Sequence, residues 1–257
     1  METYAILNDV HFPYEDRQRY DLALSVLTDI KPDHIYLNGD IGEFQGVSSW
    51  PVHPSEKSLG FVQELDYMNK RFDEMQNLFP DTPVTLIEGN HCNRFFRYIR
   101  DVAPQMWGIV DCPILLKFPE RPKWKFVPYG PTQLVKCGSS KLYLRHEPLG
   151  KGVAHAKSTA ENSCVDIAYG HTHTYQSYTH RKFGPTSITT HAYSLGWLGD
   201  KSRHVFDYRG SKDNWCLGFT IVQCEPKSGQ YVLDFINLQS LPVLYRGKMY
   251  DCKKRKK

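Results

Sequence analysis

No stretch of this chain stays apolar for the roughly 18 residues that a membrane-spanning helix requires, so a membrane-embedded protein is not expected. The opening residues, M-E-T-Y-A-I-L-N-D, lack a basic region followed by an apolar stretch and a small-residue cleavage site, and no signal peptide is expected. None of the seven cysteines (Cys92, Cys112, Cys137, Cys164, Cys216, Cys224 and Cys252) belongs to a C-x-x-C pair. That absence argues against a disulfide framework and against a thiolate zinc site. A reducing, intracellular and cytoplasmic setting is the expectation. Internal repeats, low-complexity segments and a clear domain boundary are missing as well, so one domain over residues 1–250 is expected, followed by a basic tail at 251–257.

What is present fits a large globular core. The chain has 257 residues, 40% of them hydrophobic. Its net charge of +4 is concentrated at the end, where Lys253–Lys257 (K-K-R-K-K) leave the remainder near −1. Such a run is either a solvated end or a contact for a polyanion.

Short apolar runs alternate with helical patterns in the first half. Tyr4–Leu7, Ile35–Leu37 and Pro83–Ile87 read as strands. Arg17–Ile30 reads as a helix with Tyr20, Leu24, Leu27 and Ile30 on one face, stopped by Pro32. Ser58–Phe79 reads as the strongest helix, with Val62, Leu65, Met68, Phe72, Met75 and Phe79 as its apolar stripe. A helix at about 93–100 follows the third strand. The second half is richer in strands, with a helix at about 152–161 among them. This β-α-β-α-β order predicts a layered α/β core, two sheets face to face and flanked by helices.

Polar residues of one chemical kind follow the strands. The first ends in D-V-H (Asp9, His11), the second in G-D (Asp40) and the third in G-N-H (Asn90, His91). Later, Leu142–Leu144 runs into His146, and Val165–Ala168 runs into G-H-T-H (His171, His173). Ligands of open α/β sheets bind beyond the carboxyl ends of strands, so these groups can converge. Imidazoles with carboxylates suit divalent first-row metals, and a shared carboxylate allows two ions in one site. Gly39, Gly89 and Gly170 give the backbone room to turn and approach closely.

The ordered set D-x-H, G-D, G-N-H, H and G-H-x-H, spanning Asp9 to His173, resembles the calcineurin-like metallophosphoesterase superfamily. The resemblance implies a four-layer α/β/β/α sandwich. It also implies two divalent ions, manganese first, with iron, zinc or nickel as alternatives. Asp9, His11 and His173 would bind one ion, Asn90, His146 and His171 the other, and Asp40 would bridge them. His91 would contact the phosphate and assist the leaving oxygen, with Asp40 as the other catalytic residue. Asn90 and Arg94 are the substrate-facing candidates. Cys92 stands where the superfamily often has an acid, and reads as a packed thiol. The run G-D-I-G-E-F departs from the phosphoprotein phosphatase pattern, although Glu43 could still orient His91.

The expected function is a dinuclear-metal phosphoesterase in which a bridging water or hydroxide attacks phosphorus in line. A phosphodiesterase acting on nucleotides or nucleic acid is the leading reading. A phosphomonoesterase or phosphoprotein phosphatase, and a non-catalytic scaffold of the same fold, are the alternatives. His155, His191, Trp50, Trp107, Tyr193 and Trp197 could also face the cleft.

Overall fold

A computed structural model describes residues 1–50, 59–184, 187–209 and 212–252. Its first strand, β1 (Glu2–Leu7), shows how the layers arise. Side chains alternate across a strand, and here both faces are covered. Ala5 and Leu7 join a core shared with the helices, whereas Tyr4 and Ile6 join a core lying between two sheets. A run of Y-A-I-L without polar alternation is the sequence mark of such a doubly covered strand.

From there the chain runs through α1 (Arg17–Ile30), β2 (His34–Asn38), α2 (Phe61–Leu78), β3 (Val84–Ile87), α3 (Arg94–Val102), α4 (Cys112–Leu115) and β4 (Trp124–Val127). The second half holds β5 (Gln133–Leu134), β6 (Leu142–Arg145), α5 (His155–Asn162), β7 (Asp166–Tyr169), β8 (Tyr175–Lys182) and β9 (Ile188–Leu195). It closes with β10 (Gly218–Glu225), β11 (Gln230–Asn237), β12 (Val243–Tyr245) and β13 (Lys248–Tyr250). One sheet has the order β11-β10-β1-β2-β3-β4, with β1 to β4 parallel. The other has the order β5-β6-β7-β9-β8, with β6, β7 and β9 parallel. Helices α1 and α2 cover the first sheet, and α5 covers the second through Ala160 against Ile167 and Tyr169. The result is the expected four-layer sandwich.

Local chemistry sets the helix ends. The Asp16 side chain accepts the Arg19 N–H at 3.2 Å to start α1. Lys31, in the left-handed region at φ 53°, ends it before Pro32. Helix α2 buries Leu65, Met68, Phe72 and Met75 as expected, but Val62 faces solvent while Glu64 of the same turn is buried. Residue 58, where the sequence pattern starts this helix, lies outside the described residues, as does the basic run 253–257.

Two features depart from expectation. Cys137 and Cys224 form a disulfide within the inter-sheet core, with Cα atoms 5.9 Å apart. Its partners are 87 residues apart, so no local spacing announces it, and their meeting depends on how the sheets stack. The β12–β13 hairpin was not foreseen either. It has three residues per strand, too few to show a period, and it rests on the first core through Val243 and Tyr250. No helix among the described residues is long and apolar enough to cross a membrane.

Candidate metal centre

All five motif segments leave the carboxyl ends of β1, β2, β3, β6 and β7. The loops after β1 and β2 continue side by side past the strands. Asp9 N–H donates to the Gly39 carbonyl at 3.1 Å and His11 N–H to the Asp40 carbonyl at 2.9 Å. Asp9, His11, Asp40, His171 and His173 all have positive φ, between 43° and 66°. A non-glycine residue there costs of order 1–3 kcal/mol and persists only where the surroundings hold it. Five such residues converging on one spot mark a site shaped for function rather than for stability.

Close approach requires all three motif glycines. A Cβ at Gly39 would run into the His146 ring, one at Gly89 into the Asp40 backbone and carboxylate, and one at Gly170 into the Asp9 carboxylate. The loop carrying His171 reaches the first sheet through this gap, where the His171 N–H donates to Asp9 Oδ1 at 3.0 Å.

The side chains form two groups joined at Asp40. In one, His11 Nε2 and His173 Nε2 are 3.1 Å apart, and Asp9 Oδ1 is 3.4 Å from His173 Nε2. In the other, Asn90 Oδ1 lies 2.9 Å from His146 Nε2 and 2.8 Å from His171 Nδ1. Asp40 Oδ2 is 3.0 Å from His146 Nε2, while its Oδ1 accepts the His91 N–H at 2.7 Å. His91 Nε2 lies 3.8 Å from Asp40 Oδ2, on the seam between the groups.

Glu43 is the hub behind them. Its Oε2 is 2.8 Å from His11 Nδ1 and 2.9 Å from His91 Nδ1. Its Oε1 accepts from the Arg94 guanidinium at 2.6 Å. A carboxylate bonded to Nδ1–H leaves Nε2 as the exposed lone pair. Glu43 therefore fixes two imidazoles, one more than sequence reasoning gave it. Arg94 is buried on Glu43, with Nη2 3.4 Å from His91 Nε2.

Electrostatics follow from this crowding. Burial pushes the Asp9 carboxyl up to about 6 against the pull of His146. Burial also acts on Asp40, but the adjacent His146 and His91 hold it well below the carboxylate range. Burial opposes charge on His146, yet Asp40 and Asp9 outweigh it and raise that imidazole to about 9. Burial and the charge of His146 bring His171 down to about 4. The Cys92 thiol is raised to about 12 by burial, which makes it a packed group rather than a nucleophile.

The donor set fits two divalent cations. The His11 and His173 nitrogens, 3.1 Å apart and beside the buried Asp9 carboxylate, converge as the donors of one cation do. Asp9–His11–His173 and Asp40–His146–His171 each place one donor atom per residue within 4.8 Å of the others. Such oxygen and nitrogen donors suit manganese, iron, zinc or nickel.

Aromatic rings enclose the first group. The His173 ring stacks on Trp197 at 4.6 Å and meets Trp215 edge-on at 4.4 Å, and His11 meets Phe206 at 5.1 Å. Trp197, fully buried, is therefore closed to a ligand. The second group opens onto a groove of about 1010 Å³ lined by Lys151, Tyr175, Gln176, Asn214 and His171. His155 lines it too, bonded to Tyr169 Oη at 2.6 Å and Thr174 Oγ1 at 3.0 Å. His191 sits elsewhere, against Asp166 and stacked on Tyr193. Trp50 and Trp107 are exposed. Beyond the ordered motifs, the sequence pointed to Glu43 and to Trp197 as a cleft residue. Phe206 and Trp215 escaped it because they lie after β9, beyond the last motif.

The model of the calcineurin-like phosphoesterase family matches residues 3–196. Two curated relatives are the Gene 54 proteins of Mycobacterium phages D29 and L5. The first is 28% identical over 107 residues, 41% of this chain and 42% of that protein. The second is 27% identical over 102 residues, 39% of this chain and 40% of that protein. The chain thus spans well under half the length of the curated relatives it matches. Among solved structures, the Yfce phosphoesterase of E. coli is 13% identical, covering 98% of this chain and 100% of that one, with a TM-score of 0.44. A Sphaerobacter thermophilus metallophosphoesterase is 12% identical, covering 93% and 88%, with a TM-score of 0.45. Chaetomium thermophilum Vps29 is 8% identical, covering 92% and 98%, with a TM-score of 0.47.

Proposed function

Because this chain belongs to the calcineurin-like phosphoesterase family, we propose that it is a metal-dependent phosphodiesterase acting on nucleotides or nucleic acid. Asp9, His11 and His173 hold one divalent ion, Asn90, His146 and His171 hold the other, and Asp40 is shared. Manganese is the ion assigned first. Bound ions supply Lewis acidity, lowering the pKa of water and neutralising charge on phosphate oxygens.

The chain's own groups position the ester and move a proton. His91 Nδ1 faces Glu43 at 2.9 Å, so its Nε2 is the atom that holds or releases a proton beside the leaving oxygen. Glu43 also orients the His91 ring, as a carboxylate does behind a catalytic histidine. Arg94 keeps Glu43 in place, and its Nη2 stands within reach of a phosphate oxygen near His91 Nε2. Asn90 offers Oδ1 to the ion and its amide NH2 to the ester.

The observation that carries the reading is the pair of clusters Asp9–His11–His173 and Asp40–His146–His171, linked by a third, His11–Asp40–His91. Room on both sides of the second group supports a diester over a monoester. The groove lies on the His171 side and a smaller cavity lies on the His146 side.

Diesters, monoesters, phosphopeptides, single strands and duplexes should be assayed in parallel with Mn²⁺, Ni²⁺, Zn²⁺ and Mg²⁺. Faster turnover of nucleotide diesters is expected. Faster turnover of phosphopeptides would reassign the substrate. A purified protein that binds no metal and turns over nothing would make the chain a scaffold.

A further inference from the structure

The cavity beside α3 has a composition that the metal centre does not explain. Its volume is about 310 Å³, and Phe96, Arg97, Arg100, Trp107 and Tyr129 line it. Arg97 Nη2 donates to the Asn90 backbone carbonyl at 3.1 Å, which places a cation directly behind a proposed metal ligand. A guanidinium has five N–H groups, and this bond uses one. Trp107 is 60% exposed although it packs edge-on against Phe96 at 6.3 Å. Tyr129 Oη donates to Glu147 Oε1 at 2.6 Å, which fixes its ring at the border with a smaller cavity that reaches His146. The two cavities share Glu88 and Tyr129 in their linings, so together they run from His146 past Arg97 to Trp107.

The geometry points to a nucleotide subsite here: Trp107 and Tyr129 stack the base next to the cleaved phosphate, and Arg97 holds the neighbouring phosphate. Exposed aromatic rings suit any base, because every base has a π-face. A planar guanidinium binds phosphate through paired N–H groups. A base is flat enough for a space of this size, whereas a folded phosphoprotein surface is not. This inference rests on the phosphodiesterase reading and adds the side on which the nucleotide lies. A strand and a free dinucleotide present the same chemistry to the subsite.

The full chain loaded with Mn²⁺ tests it. Three substrates are compared: bis(nitrophenyl) phosphate, which has no base, a thymidine dinucleotide, and a single-stranded thymidine oligonucleotide. A phosphorothioate form of the oligonucleotide measures binding alone. Trp107→Ala should lower kcat/KM for the nucleotide substrates roughly 5- to 150-fold more than for bis(nitrophenyl) phosphate. Arg97→Ala should do the same and should flatten the salt dependence of oligonucleotide binding by about one unit of slope. Arg97→Lys should recover the salt slope but not the full affinity. A larger effect on the oligonucleotide than on the dinucleotide assigns a strand; equal effects assign a dinucleotide; either supports the subsite. Equal losses on all three substrates, with unaltered oligonucleotide binding, would overturn it. Hydrolysis of bis(nitrophenyl) phosphate without any on the nucleotides would overturn the subsite and leave the phosphodiesterase standing. No diester hydrolysis at all would remove the reading beneath it.

Discussion

The two halves of the metal centre use similar ligands in opposite settings. Asp9, His11 and His173 are buried and walled by Trp197, Phe206 and Trp215. Asn90 and His171 are half-exposed, His171 lining the open groove and His146 a smaller cavity. A walled site excludes water and holds its ligands rigid, whereas an open one admits substrate and exchanges ions. On the proposed assignment, the walled half would keep its ion and the open half would use it. Both draw on both sheets: Asp9, His11, Asp40 and Asn90 follow strands of the first, and His146, His171 and His173 follow strands of the second. The difference comes from the surroundings of the ligands, not from their chemistry.

The substitution that should erase this contrast is Asp40→Asn, since Asp40 belongs to both halves. Turnover should fall by at least ~10³-fold, and elemental analysis should show both ions depleted. Full loading with two ions would dissolve the shared-carboxylate assignment. His91→Ala probes the seam itself. It should keep both ions and lose ~10²–10⁴-fold in kcat, less for nitrophenyl esters, whose leaving groups need little protonation. If metal is lost instead, His91 is a ligand.

Trp215→Ala should sharpen the contrast by damaging one wall only. Truncating a buried tryptophan costs about 3–5 kcal/mol of stability, readable in a denaturant titration. The first ion should leave more easily while the second is retained; equal weakening of both would mean that the halves are not independent. The mildest effect is that of pH on the open half. With no ion bound, Asp40 and Asp9 raise His146 to about 9 in the folded protein. The stabilisation from that proton is complete below the unfolded value of about 6.5 and is lost as pH rises through 9. A metal must displace the proton. Calorimetric affinity for the second ion should therefore fall up to about tenfold for each pH unit below 9. An affinity flat between pH 7 and 9 would contradict this.

Much of this was legible in sequence. Strand ends carrying Asp9, Asp40, Asn90, His146 and His171 were visible because each motif is local and the parallel strand order brings them together. What escaped depends on contacts between distant segments. Glu43 was read as a partner of His91, yet it holds His11 equally. Only the parallel course of the loops after β1 and β2 brings that second imidazole to it. Cys137 and Cys224 meet because two sheets stack, which no spacing encodes. Val62 followed the helical period but faces solvent, its place in that turn taken by the buried Glu64. Arg97 sits one turn beyond Arg94 in the same helix, and sequence could not tell which of them faces inward.

The left-handed backbone at five of the proposed ligand positions bears on how such a site drifts over generations. Aspartate, asparagine and histidine are the residues other than glycine that occupy this conformation most readily. An inherited change of Asp9 or Asp40 to asparagine would keep the loop while removing the charge that an ion needs. Losing the chemistry is then a short evolutionary step, because the scaffold scarcely registers it. Regaining it is as short, provided that the loops have kept their shape. A change to alanine or valine closes the way back, because neither sits comfortably at positive φ. The backbone therefore preserves the option of metal binding through periods when selection does not.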